Sequence, residues 1–193
     1  MLGETFNYVS VGKEKSNDLI TDLYSFKCLY NIRYIIEVEN HKNSIFIIKF
    51  FQKNHINSKR RYSLMNSKLI RESYIKKGLN GSKNFLIILN TIIKIIIETY
   101  SHNRTSSFGF MGAPTIIELN KKINLKKINS DGTVRKTKRY NVYGIYVKRY
   151  FSPDLFEHIE IESSSCYMIK SKTSNLKTKD VELFFQKYIQ EFC

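Results

Sequence analysis

The chain has 193 residues and a net charge of +15, from 32 Lys and Arg against 17 Asp and Glu. Its 42% hydrophobic and 13% aromatic content is enough for a packed core and excludes wholesale disorder. The 26 Ile, 24 Lys and 17 Asn, with one Ala and no Trp, are what an AT-rich genome produces, so part of the charge reflects codon bias.

Residues 5–11 (T-F-N-Y-V-S-V) alternate and stop at Gly12. Residues 19–28, 32–38 and 44–51 are further runs of β-formers, with a turn-type cluster at 39–43. The short connections predict an antiparallel meander. Residues 53–61 (K-N-H-I-N-S-K-R-R) form a basic loop, residues 62–65 extend a strand, and residues 69–77 read as helix or strand. After Asn80-Gly81-Ser82, the positions Phe85, Leu86, Ile88, Leu89, Ile92, Ile93, Ile96 and Ile97 follow helical spacing, with Ser82 as cap. Ile87 and Ile95 widen that stripe and predict a helix covered on several sides. A strand at 107–111 follows, then an irregular insertion at 113–134.

Residues 137–151 predict a second helix, ended by Ser152-Pro153. Tyr140, Tyr143, Gly144, Val147 and Phe151 share its apolar face, and Gly144 suggests a close neighbour. Strands follow at 158–162, with a solvent-facing polar side, and at 165–169. The cap Thr178 then opens a helix whose stripe is Val181, Phe184, Phe185, Tyr188, Ile189 and Phe192. The expectation is a single α+β domain over 1–193, a mostly antiparallel meander sheet with about three helices packed on one face.

The charge is concentrated. Residues 41–80 and 121–150 carry net +9 each, and the remaining segments together carry −3. Such asymmetry favours an anionic partner, although solvated surface lysines produce the same pattern. Cys28, Cys166 and Cys193 form no C-x-x-C pair and read as reduced thiols in a cytoplasm. His41, His55, His102 and His158 lack ligand spacing, so no metal and no cofactor is expected. Residues 1–10 lack a secretory leader pattern, and the apolar run 85–97 is shorter than the roughly 20 residues a bilayer needs, so no membrane partner is expected.

The region from Asn80-Gly81-Ser82 to Tyr143 resembles an uncharacterised bacterial protein family. In that family N-G-D-x-x-K-V-L opens a core helix, a strand ends in Gly-Ser, and R-T-R-L-Y opens a second helix. The corresponding residues here are the helix from Lys83, the strand Phe108-Gly109-Phe110-Met111-Gly112, and Lys136-Thr137-Lys138-Arg139-Tyr140. Ser82 stands in place of Asp, lysines in place of both arginines, and Arg139 in place of Leu. The resemblance implies the element order and carries no activity.

Residues 135–140 (R-K-T-K-R-Y) place four cations at a helix start, against the macrodipole. A bound phosphate would make that placement favourable, because helix N-termini present free N–H groups to anions. Arg135, Lys136, Thr137, Lys138 and Arg139 are therefore candidate phosphate contacts, with Lys148, Arg149 and an exposed stacking Tyr146 on the same helix. Lys59, Arg60 and Arg61 extend the patch if their loop lies alongside. Glu157, His158, Glu160 and Glu162 lie together as candidate acids and bases, but no G-K-[ST], G-x-G-x-x-G or G-x-S-x-G occurs, so catalysis is the less favoured reading. The sequence is thus read as a small basic accessory protein binding RNA or single-stranded DNA. Its composition fits a bacterial or phage defence, anti-defence or toxin–antitoxin system. The alternative is a protein–protein module, an inhibitor or subunit docking on an acidic or RNA-bearing complex.

Overall fold

Alternating β-formers build the first four strands: β1 (Tyr8–Ser16), β2 (Leu19–Lys27), β3 (Arg33–His41) and β4 (Ile45–Gln52). The computed structural model describes residues 2–16, 19–63, 81–115, 118–120 and 125–192. The expected segments 64–65 and 69–77, and Lys121, Lys122 and Cys193, lie outside the described residues. The chain continues with α1 (Gly81–His102), β5 (Ser107–Met111), α2 (Lys138–Tyr150), β6 (Phe156–Ile161), β7 (Cys166–Ser171) and α3 (Thr178–Phe192). The strands form one seven-stranded sheet in the order β1-β2-β3-β4-β5-β7-β6. The fold is α+β.

Every neighbouring pair is antiparallel except β4 and β5, which run parallel through Ile45–Ser107, Phe46–Phe108 and Ile47–Gly109. β1 does not stop at Gly12: it passes through it, with the register shifting between Ser10 and Gly12, where φ is +140°. β3 likewise runs on through Glu39 to His41, and the turn comes at Lys42–Ser44.

Strand alternation sorts the core into two layers. Ile36, Val38, Ile48, Phe108, Tyr167 and Ile169 face α1 and α2. Ile45, Ile47, Cys166 and Met168 face the opposite way, against Val181, Phe185, Tyr188 and Ile189 of α3. The expectation of all helices on one face is therefore corrected. The inner strands are apolar on both sides, so both sides need a cover. The polar side of β6 is also not simply solvated. His158 contacts the Tyr167 hydroxyl at 2.7 Å and the Phe151 carbonyl at 2.8 Å, and Glu160 accepts from Tyr140 Oη at 3.0 Å.

α1 contains seven isoleucines, which are mediocre helix formers. Packing holds it instead: Ile88, Ile92 and Ile96 bury against the sheet. The N-terminal segment crosses its outer side, where Phe6 N–H donates to Thr91 Oγ1 (2.9 Å) and Asn90 Nδ2 donates to the Glu4 carbonyl (3.0 Å). α1 is long and apolar enough to cross a bilayer by length and composition, but 56% of its most apolar window is buried inside the protein. That burial makes it a core helix.

Candidate nucleic-acid interface

β4 and β5 are parallel, so their carboxyl ends lie on the same side and their chains diverge there. Such points leave a crevice in open sheets. Here the crevice is a cleft of about 270 Å³. Its walls are Phe50 and Phe110 from the strands and Tyr143 and Tyr146 from α2, with the backbone of Gly112 and Ala113 at one side.

The loop after β4 covers the other side. Residues 53–63 wind through successive turns, with Ser58 N–H donating to His55 O (2.9 Å) and Ser63 N–H to Arg60 O (2.8 Å). Arg61 pins this loop to the sheet. Its Nη2 donates to Glu37 Oε1 at 3.1 Å and to Tyr62 Oη at 2.8 Å, and its guanidinium lies 4.9 Å from the Phe51 ring centroid. Burial, then the bond to Glu37, pushes the Tyr62 phenol well above its ordinary value. Lys59 and Arg60 are exposed at the cleft, and neither makes an ion pair among the described residues.

The start of α2 is tied into the β5 exit. Thr137 is buried as the N-cap: its Oγ1 accepts from Tyr140 N–H (3.1 Å) and donates to the Gly112 carbonyl (2.7 Å). An anion already occupies this helix end. Glu118 Oε1 accepts from Lys138 N–H at 2.8 Å, and its Oε2 accepts from the Thr115 N–H and hydroxyl. Burial raises the Glu118 carboxyl, but these donors outweigh it and hold the group below the usual carboxylate range. A carboxylate at a helix N-terminus contributes up to roughly 1 kcal/mol. Glu118→Ala is expected to lower stability by about that amount in a thermal melt. An unchanged melting temperature would remove Glu118 from this role.

The predicted cations separate into two groups. Arg135 and Lys136 turn to Glu162 (3.9 and 2.8 Å), Lys148 to Glu160 (2.6 Å), and Arg149 lies 5.6 Å from the Tyr150 ring centroid. Lys138 is exposed at the helix start. Lys59, Arg60, Arg139 and Tyr146 line the one cleft, with Arg61 as the anchor behind it. Tyr146 is half-buried, a wall of the cleft, and not the exposed stacker expected. Arg139 is also half-buried, and its hydrogen bond goes to the neutral Tyr62 carbonyl.

Compared with known protein families, curated proteins and solved structures, the chain matches none.

Lys49 also lines the cleft, paired with Glu39 and lying 5.4 Å from the Tyr62 and 5.2 Å from the Tyr188 ring centroids. Sequence reasoning missed it. The signal was a single charge interrupting the apolar run I-F-I-I-K-F-F. No Asp, Glu or His is among the described residues that line the cleft. Tyr143, read as core from its spacing, has its phenol pushed up to about 12 by burial, so at neutral pH it is an uncharged donor. The Glu157, His158, Glu160, Glu162 cluster lies elsewhere, each member tied to structural partners: Glu157 pairs with Lys170 at 2.6 Å. Among the described residues no group of three His, Cys, Asp or Glu is placed to hold a metal ion.

Proposed function

We propose that this protein binds single-stranded nucleic acid through the cleft between the 53–63 loop and α2. One observation carries the reading. Lys59, Arg60 and Arg139 line one aromatic-walled cleft that has no carboxylate among its described lining, and Lys49, also on it, is held by Glu39. Cations for phosphates and rings for bases are the two requirements of single-strand recognition. The phosphate contacts move from the α2 N-terminus, where Glu118 sits, to the cleft and its rim.

A salt titration with fluorescent RNA and DNA oligonucleotides tests it. Three phosphate contacts on a single strand give a slope near −2 in log–log form, or an affinity loss of roughly 10–20-fold between 50 and 200 mM salt. Lys59→Glu with Arg60→Glu is expected to flatten that slope and abolish most binding. Failure of both RNA and single-stranded DNA to bind at low salt would sink the proposal.

A second reading, a protein-docking module, is favoured by β1. It is the terminal strand of the sheet, and Val9 and Val11 on it are 62% and 50% exposed. An uncovered edge strand offers its backbone to another chain. This reading gains if nucleic acid does not bind.

A further inference from the structure

We infer that the cleft at the carboxyl ends of β4 and β5 receives a single nucleotide, its phosphate against Arg139 and its base against the Tyr143–Tyr146 wall. The inference rests on the nucleic-acid reading only for the source of that nucleotide. A phosphorylated nucleoside has the same chemistry whether it is free or at the 5′ end of a strand.

Arg139 is the first ground. A guanidinium carries five N–H donors and stays charged at every accessible pH. Burying such a charge is unfavourable unless an anion pairs with it. Among the α2 cations Lys148 has Glu160, Lys138 and Arg149 are exposed to solvent, and Arg139 alone is half-buried, with a neutral carbonyl and no carboxylate among the described residues. It also stands between two recesses, since the 150 Å³ hollow beside the cleft shares Phe50, Tyr62 and Arg139 with it. A planar fork in that position suits a phosphate, which it can grip with two parallel bonds.

The rim is the second ground. Lys59 and Arg60 add two charges at the mouth that make no ion pair among the described residues. Lys49 is already neutralised by Glu39, so the free positive charge is on the Arg139 side. Three cations with no carboxylate partner among the described residues suit a doubly charged phosphate better than a single carboxylate.

The walls and the volume are the third. Phe50, Phe110, Tyr143 and Tyr146 leave an inorganic anion facing rings it cannot use. An attached base would cover them, and base–ring contact is worth roughly 1–3 kcal/mol in other systems. Ser63 and Thr133 also stand at the border of the cleft. A volume of about 270 Å³ lies near the ~300 Å³ lower end of small-molecule sites. One nucleotide fits; a duplex or a stack of bases does not.

Calorimetry on the full chain tests this with AMP, UMP, adenosine, inorganic phosphate and sodium decanoate, and with one single-stranded oligonucleotide made with either a 5′-phosphate or a 5′-hydroxyl. The expected result is that AMP or UMP binds at least tenfold more tightly than adenosine or phosphate alone. Arg139→Gln is expected to lose at least tenfold. Ala113→Phe, which fills the cleft mouth and keeps every cation, is expected to lose as much. Melting curves identify any variant that fails to fold, and either folded variant suffices for the comparison.

A 5′-phosphorylated strand that binds at least tenfold better than its 5′-hydroxyl form, with free nucleotides silent, also supports the inference and names the strand end as the source. Free nucleotides that bind while neither strand does keep the inference and overturn the nucleic-acid reading. Strands that bind regardless of their 5′ group, with no effect of Arg139→Gln or Ala113→Phe, overturn the inference and leave the nucleic-acid reading standing. Preference for decanoate overturns the inference, and silence from every probe overturns both.

Discussion

Gly112→Ala is expected to destabilise the protein by about 3 kcal/mol, a fall in melting temperature of roughly 6–12 °C for a chain of this size. A Cβ at this position would stand 2.5 Å from Thr137 Oγ1, 2.7 Å from the Tyr140 backbone nitrogen and 2.8 Å from Tyr140 Cβ. Two of those atoms belong to the first turn of α2, so no side-chain rotation relieves the contact. Moving the helix would also break the bond from Thr137 Oγ1 to the Gly112 carbonyl. Gly144→Ala is the control. Its Cβ would sit 3.8 Å from the Tyr167 ring, an ordinary contact, so the substitution is expected to be neutral or to gain up to about 1 kcal/mol from helix propensity. Equal melting temperatures for the two variants would mean that α2 is not seated against the β5 exit as described.

Glu39→Ala is expected to cost about 3–5 kcal/mol at pH 7 by chemical denaturation. The residue is 5% exposed and holds three partners: Lys49 by an ion pair, His41 Nε2 at 3.3 Å, and the Tyr188 hydroxyl, which donates at 2.7 Å. Its removal leaves the Lys49 ammonium, itself 15% exposed in the side chain, without that carboxylate. Burial raises the Glu39 carboxyl, but His41, Lys49 and Tyr188 together outweigh it and hold the group below its ordinary value. A carboxylate depressed in the folded state contributes its stability above the unfolded value and loses it as the pH falls through the folded one. The wild-type protein therefore loses stability from about pH 5 downward, whereas the variant starts lower and falls less. Glu118, Glu157 and Glu160 are depressed too and remain in both proteins, so the difference between the two acid curves isolates Glu39. Parallel acid curves would refute the network.

Much of the fold was legible in the chain, for a physical reason. The stripes of α1 and α3 repeat at helical spacing, and the four-strand meander is joined by short turns, so each signal is local. What was hidden depends on residues far apart in sequence. Glu39 sits in a polar E-N-H-K-N cluster that reads as a turn, yet it is a core residue whose third partner, Tyr188, is 149 residues away. The parallel pairing of β4 with β5 and the placing of α3 on the opposite face are long-range in the same way. The site was half visible. Segment charges marked both basic blocks, and the structure sets Lys59 and Arg60 beside Arg139. Which cations stay free was not legible, because the carboxylates that neutralise the others, Glu160 and Glu162, arrive from β6 and the residue after it.

The short parallel pairing also divides the sheet mechanically. β2 and β3 are joined by eight register pairs, but β4 and β5 by three. The meander on one side is built from neighbours in sequence, whereas β5 reaches β4 only after residues 53–106 have been traversed. Closing that loop carries an entropy cost that the meander avoids. The β4–β5 seam is thus the shortest pairing among the described strands, and the core under α1 and α2 is what bridges the two halves across it. The cleft opens at the end of that seam, with Phe50 on one half and Phe110 on the other. A guest held there would act as a rivet between the halves, resisting their separation by a margin that grows with the logarithm of its concentration.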